Sequence, residues 1–388
     1  MQLDDVRKLF PHLKTGKIYF NHASTGPMSE RVKDKLIHLI RDRSGEKIDD
    51  YKEFMQTYEE AKYILAELIN STPARIAFVD NTSNGINIIA QGLKLKKGDR
   101  ILLNDIEFPA NVYPFLNLKK NGIEIDFAKS QNGIVSAEDI INSVKENTKL
   151  ISVSFVQFLS GYKVDLEKLG KYCNENGIIL SVDAIQGLGA LQLDVKRCNI
   201  DFISCGTQKW LLGLQGLGFV YVSENLQGKL DPKYVGWLSV KNAWSLLNYD
   251  LSLRNSAERF QNGTINTFGI YALNASLKLF KEFGIENVER RVIENSTYFI
   301  NELKNIGYNP ILKNQSEESL SGIVSIRNEK NKEIYEELEK KNVNAAFREG
   351  IIRFSPHFYN TNEEIDIVIS KLKEIGALYN VNYNKHLE

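Results

Sequence analysis

Asp183 and Lys209 stand 26 positions apart, each in a stretch suited to chemistry. Asp183 closes an apolar run in IILSVDAIQ, and Lys209 occupies the turn after the next apolar run, in DFISCGTQKW. A carboxylate closing a buried strand and a lysine on a following turn are what pyridoxal phosphate requires. The lysine makes a Schiff base with the cofactor aldehyde. The carboxylate keeps the pyridine nitrogen protonated, so that the ring absorbs electrons from a substrate carbanion. The pair therefore implies an enzyme acting on amino acids, and its spacing singles out Lys209 among many lysines.

The elements that must position this pair alternate in type. EEAKYILAELIN (59–70) has helical spacing and leads into the apolar run RIAFVD (75–80). NTSNGINIIAQGL (81–93) opens with cap-type residues and continues as an amphipathic helix. Further strands are expected at 99–105, 123–128, 150–156, 178–183, 201–205 and 218–223, with helices beginning near Asn111 and spanning 136–146 and 165–176. Strands alternating with helices predict an α/β fold, with a mostly parallel sheet covered on both faces. After about residue 255 the pattern changes to helices near 267–283, 284–305, 331–341 and 362–376, with strands at 324–328 and 351–356. This suggests a smaller α+β unit. The tail NVNYNKHLE reads as a frayed end.

In doubly wound sheets ligands sit beyond the C-terminal ends of the strands. Thr82 and Ser83 open a helix after one strand, where backbone N–H groups and two hydroxyls suit a phosphate. Phe108 follows the next strand and can stack on a pyridine ring. Gln157 follows a third, Asp183 and Gln186 a fourth, and Gln208 and Lys209 a fifth. Each alone has a plainer reading: a helix cap, a core phenylalanine, a surface lysine. Together they supply the phosphate cradle, ring stacker, ring-nitrogen carboxylate and Schiff-base lysine of one cofactor. GLQGLGF (213–219) precedes a strand rather than opening a helix, which disfavours a dinucleotide loop.

Bulk properties exclude several classes. The length of 388 residues suggests two domains. Lys+Arg and Asp+Glu are equal at 49 each, which gives no electrostatic case for nucleic acid or an anionic membrane. No run of about 18 apolar residues exists to span a bilayer, and MQLDDVRKLF lacks the apolar core of a signal peptide. The three cysteines, Cys173, Cys198 and Cys205, fit a reducing cytoplasm and match no zinc pattern. The five histidines form no pair with metal-ligand spacing, so no metal is expected.

From IYFNHASTGPMS (18–29) to IIRFSPHFYNT (351–361) the chain resembles the class V aminotransferase family of fold-type-I pyridoxal-phosphate enzymes, which includes the cysteine desulfurases. The most specific pieces are VDAIQ (182–186), TQKW (207–210) and ERFQNGT (258–264). The resemblance implies a large cofactor-binding domain over 16–258 with a seven-stranded type of sheet, and a small closing domain from 1–15 and 259–388. It implies that Lys209 holds the cofactor and shuttles the α-proton, that Asp183 pairs with the pyridinium, and that Gln186 bonds the ring phenolate oxygen. Phe108 would stack on the ring where desulfurases usually carry histidine. Thr82, Ser83 and Gln208 would bind the phosphate, with Gln157 also among the cofactor contacts. Thr264 would reach the cofactor of a neighbouring subunit, implying a homodimer with shared sites. Arg353 would clamp the substrate carboxylate, and Asn21, His22 and Ala23 would line the substrate mouth.

Desulfurases of this family carry a nucleophilic cysteine on a loop shortly before that arginine. Here the stretch NAAFREGIIRFSP (344–356) is short and has none. The expected function is therefore transamination of a small amino acid. C–S β-elimination without the loop cysteine is the alternative, and epimerisation or a non-catalytic scaffold lies further off.

Overall fold

The structure, a computed structural model, describes residues 1–379; the expected frayed tail lies outside them. Its strands are β1 (Ile18–Tyr19), β2 (Ile76–Val79), β3 (Arg100–Asn104), β4 (Glu124–Ala128), β5 (Thr148–Ser154), β6 (Ile179–Asp183), β7 (Phe202–Gly206), β8 (Gly218–Val222), β9 (Val324–Arg327), β10 (Val343–Asn344), β11 (Ala346–Arg348) and β12 (Ile351–Phe354). The helices are α1 (Leu3–Lys8), α2 (Glu30–Ser44), α3 (Tyr51–Leu68), α4 (Thr82–Gly92), α5 (Tyr113–Leu116), α6 (Ala137–Asn142), α7 (Leu166–Glu175), α8 (Glu224–Gln227), α9 (Thr267–Phe283), α10 (Ile285–Asn305), α11 (Asn331–Lys340) and α12 (Asn362–Leu378).

Seven strands form one sheet in the order β2-β8-β7-β6-β5-β3-β4. Only β8 runs against its neighbours; the other pairings are parallel. Helices cover both faces, so the central strands β5, β6 and β7 are buried along nearly their whole length rather than alternating between buried and exposed residues. Successive side chains serve opposite cores. Ile101 and Leu103 of β3 join the core with Ile86, Ile89 and Phe202, while Leu102 joins the one with Ile151, Val182 and Ile203. The mostly parallel α/β sheet expected from the alternation is present.

Caps set several helix starts. Asn81 accepts the Asn84 N–H at 2.9 Å to begin α4, and Asp165 accepts that of Lys168 at 2.9 Å to begin α7. The helix expected near Asn111 is only a single turn, Tyr113–Leu116, flanked by 3-10 turns, with Pro109 and Pro114 each in the first turn of its own short element, where a missing N–H is tolerated. Helix α3 starts at Tyr51, eight residues before the expected position, and α2 has no counterpart in the sequence reading.

The C-terminal part holds a three-stranded antiparallel sheet, β11-β12-β9. The N-terminal segment is tied to it. β1 pairs parallel with β10, Asn21 bridges to Ser355, and the Gly26 N–H then donates to the Gln208 carbonyl at 2.8 Å. Residues 18–26 thus strap the small sheet to the Lys209 turn. No helix among the described residues is long and apolar enough to cross a membrane.

Candidate active site

A cavity of about 320 Å³ opens at the C-terminal edge of the parallel strands. It is lined by Thr82 and Ser83 after β2, Phe108 after β3, Phe158 after β5, Asp183 and Gln186 at the end of β6, and Gln208 and Lys209 after β7. Ala23 and Ser24 reach it from the N-terminal strap, and Arg348 and Arg353 from the small sheet. Parallel strands end at the same edge of the sheet, and the strap and small sheet close over that edge, so residues hundreds of positions apart share one pocket.

The Lys209 turn is held by backbone and hydroxyl bonds. The Thr207 N–H donates to the Leu217 carbonyl at 3.1 Å, its hydroxyl to the Leu214 carbonyl at 2.9 Å, and Gly213 returns an N–H to the Thr207 carbonyl at 2.8 Å. Lys209 Nζ lies 5.7 Å from the centroid of the Phe108 ring, which meets Phe158 edge-on at 5.3 Å. Asp183 is buried, and its Oδ1 accepts the Ile185 N–H at 3.0 Å. Burial raises the Asp183 carboxyl above the ordinary carboxylate range and lowers the Lys209 amine below that of a free lysine. Removal from water favours the neutral form of each. A low amine pKa leaves a nucleophilic lone pair available near neutrality.

Gln186 is fixed at both ends of its amide. Its Nε2 donates to the Ala23 carbonyl at 3.0 Å, and its Oε1 accepts from the Trp210 indole at 3.0 Å. The second N–H of that amide remains for a ligand oxygen.

At the other end Thr82 begins α4 with a buried hydroxyl that has no partner. Such a group costs about 1–3 kcal/mol unless something fills it. Ser204 Oγ donates to the Thr82 carbonyl at 2.8 Å and pins the helix N-terminus over β7. A Cβ on Gly206 would meet Gln208 Oε1 at 2.6 Å and Thr82 Oγ1 at 3.2 Å, so this corner closes around the space that only glycine leaves open. An orphaned hydroxyl, a helix N-terminus and a glycine-floored cradle fit a phosphate.

Arg353 is buried, with Nη1 donating to the Phe158 carbonyl at 2.7 Å and Nη2 to Ser24 Oγ at 3.0 Å. Its Nε has no partner, and no carboxylate among the described residues pairs with it. Burial pushes its pKa down to about 10. A buried guanidinium lacking a counter-charge is costly and calls for an anion.

Not every expected residue faces this cavity. His22 lies in a buried aromatic cluster, with Nδ1 at 2.8 Å from the Ser355 carbonyl and Nε2 at 2.5 Å from the Tyr359 hydroxyl. Asn21 bridges to Ser355 by its backbone and does not line the pocket. Gln157 donates to Glu107 at 3.2 Å, inside a buried network where that carboxylate also accepts from Asn104, Asn111 and Ser154. Thr264 lines a separate cavity with Asp80, Asn262 and Gly263. Residues the sequence reading passed over are Ser24, Phe158 and Arg348. Ser24 adjoins the expected Asn21–Ala23, and Phe158 adjoins Gln157, so one further step along each strand exit would have reached them. Cys173 and Cys205 are buried and Cys198 half-buried; burial raises all three thiols, and none lines the cavity. Among the described residues no cluster of His, Cys, Asp or Glu could hold a metal ion.

The model of the Aminotransferase class-V family matches residues 18–368. The chain is 28% identical to an uncharacterized aminotransferase, YcbU, of Bacillus subtilis, covering 95% of this chain and 97% of that one. It is 27% identical to a probable cysteine desulfurase of Methanothermobacter thermautotrophicus, covering 97% and 99%. The fold matches that of the cystine C–S lyase C-DES, solved with its product cysteine persulfide, at a TM-score of 0.86 and 23% identity over 94% and 99% of the two chains. A lysine-to-alanine variant of C-DES, with glycine covalently linked to its pyridoxal-phosphate cofactor, matches at a TM-score of 0.87 and 22% identity over 95% and 99%. This chain belongs to the class V aminotransferase family, which depends on pyridoxal phosphate.

Proposed function

We propose that the cavity binds pyridoxal phosphate and acts at the α-amino group of a small amino acid, most directly by transamination. The observation that carries this reading is Lys209 and Asp183 sharing one pocket with the uncompensated Arg353. When bound, the cofactor supplies an electron sink for charge developing at the substrate α-carbon. The Lys209 amine would bond its aldehyde and later carry the α-proton. Asp183 would hold the proton of the ring nitrogen, Gln186 would donate to the ring oxygen, and Phe108 would cover one ring face. Thr82, Ser83 and Gln208 would hold the phosphate. Arg353 would orient the substrate carboxylate with a two-pronged grip.

A C–S lyase is the second reading, favoured by the desulfurase and lyase names among the relatives. A persulfide carried on this protein's own cysteine has no support, because no cysteine lines the cavity. The test is a panel of amino acids added to the cofactor-loaded protein. Transamination predicts release of a 2-oxo acid matched by loss of the bound cofactor's visible band. Pyruvate and sulfide released from cysteine, with the band restored, would instead establish the lyase. No response to any amino acid contradicts both.

The same reading makes the protein a cytoplasmic homodimer. Tyr234, Trp244, Leu247, Tyr249 and Leu251 form an exposed apolar run close in sequence to Thr264, a surface a second copy would bury. Thr264 would then reach the partner's cofactor. Residues 16–258 would form the cofactor-binding body, and the small sheet would belong to the closing part. A monomer by light scattering would remove Thr264 from the site.

A further inference from the structure

The strand pair β11–β12 places a second arginine in the cavity. Arg348 pairs with Ile351, and the two residues between them, Glu349 and Gly350, have φ of 47° and 75°. Two successive left-handed residues are the mark of a tight two-residue hairpin turn whose twist matches the strands it joins. Arg348 is thus fixed as the last residue of β11 rather than carried on a loop. This is the stretch that is too short for a cysteine-bearing loop.

Register sets the direction of both arginines. Arg353 opposes Ala346, and Arg348 lies two residues beyond Ala346 on the same strand, so both side chains project from one face of the pair. Diagonal neighbours of this kind have backbones roughly 7–8 Å apart, within the reach of long side chains. Both line the cavity. Their settings differ. Arg353 is buried and anchored to Phe158 and Ser24, whereas Arg348 is exposed, the only side-chain hydrogen bond it makes among the described residues running to the carbonyl of neighbouring Phe347 at 3.1 Å.

Charge matching leaves Arg348 over. Among the described residues the only acidic one lining the cavity is Asp183, which on the reading above serves Lys209 and the ring nitrogen. The phosphate falls to the α4 N-terminus and its hydroxyls, and the substrate α-carboxylate to Arg353. A second guanidinium beside the first is repulsive unless another anion enters between them. We propose that Arg348 binds an anionic group on the substrate side chain, so that the substrate class is amino acids of the aspartate or glutamate type. This assignment rests on the cofactor and substrate reading given above. Arg353 holds the α-carboxylate at the buried end, and Arg348 receives the side-chain carboxylate at the open end.

The test is a comparison of isosteric pairs, L-aspartate with L-asparagine and L-glutamate with L-glutamine, titrated into the cofactor-loaded protein. Equilibrium affinity is read from the change in the bound cofactor's visible spectrum. At least one pair should favour the acid by about tenfold or more, the scale of a charged hydrogen bond. Arg348→Gln should collapse that ratio to within about threefold, and Arg348→Lys should retain part of it, because a point charge lacks the paired donors. Ratios near one in the wild type would overturn the proposal. So would a ratio unchanged in Arg348→Gln, including the case where both affinities fall together, which would mean that the two arginines share the α-carboxylate. A protein that gains no visible band with pyridoxal phosphate overturns this proposal together with the cofactor reading. A band with no acid preference overturns this proposal alone.

Discussion

Two groups of buried titratable side chains meet at adjacent residues, Lys209 and Trp210, and they are finished differently. On the Lys209 side polar atoms are left without partners: Thr82 Oγ1 and Arg353 Nε are both buried and unbonded. On the Trp210 side the central imidazoles are fully paired. His357 Nδ1 accepts the Phe358 N–H at 2.8 Å, so its Nε2 carries the proton and donates to the Trp210 carbonyl at 3.0 Å. His22 donates from Nδ1 to the Ser355 carbonyl, which leaves Nε2 to accept from the Tyr359 hydroxyl. Burial lowers both histidines, His357 to about 4, so each stays neutral. Equal burial thus serves two ends. The unpaired Thr82 and Arg353 atoms belong to residues lining the cavity, and the paired imidazoles belong to packing that holds the lysine turn against the small sheet.

The contrast predicts opposite responses. Arg353→Gln should raise KM by an amount corresponding to about 2–5 kcal/mol, the cost of truncating one partner of a desolvated charge pair. Its melting temperature without ligand should hold or rise, since an uncompensated buried charge is removed. A large fall in melting temperature would move Arg353 to the structural side. His357→Ala should do the reverse, losing about 2–4 kcal/mol in denaturant unfolding through the cavity and the orphaned backbone groups it leaves. KM should change little; a KM effect without a stability loss would break the comparison.

A smaller effect is expected at Thr82→Val. It should weaken cofactor affinity by about 1.5–3 kcal/mol, measured by titrating the apoprotein, and leave apoprotein stability intact. Smallest per unit of the variable changed is the acid response of His357. Its folded pKa, about 4, lies below its ordinary 6.5, so between these values the unfolded chain binds the extra proton. Stability should therefore be full above pH 6.5 and fall as pH drops toward 4, with a slope of at most about 1.4 kcal/mol per pH unit for this one imidazole. The same unfolding series on His357→Ala should show a correspondingly shallower slope; an unchanged slope would mean that His357 is not held neutral.

How much of this was legible in the sequence follows from which signals are local. The alternation of apolar runs with capped helices set the parallel sheet, and the strand-exit rule found Thr82, Phe108, Asp183, Gln186, Gln208 and Lys209, all of which line one cavity. His22 was misplaced toward the substrate mouth because its position relative to Ser355 and Tyr359 depends on contacts across more than 300 residues of chain. Arg348 was missed because Glu349–Gly350 lacks the Asn-Gly or Asp-Gly signature of a tight turn, and its alignment with Arg353 exists only once the strands are in register. Helix α2, with charged residues along most of its length, offered only a weak apolar stripe to read.

The central claim is that Lys209 is the residue to which the cofactor bonds. Its most direct test is to load the protein with pyridoxal phosphate, reduce the imine with borohydride, and map the modified peptide by mass spectrometry. The account predicts a single stoichiometric label on Lys209, absent in Lys209→Ala together with the visible band. A label on another lysine, or none at all, would contradict it.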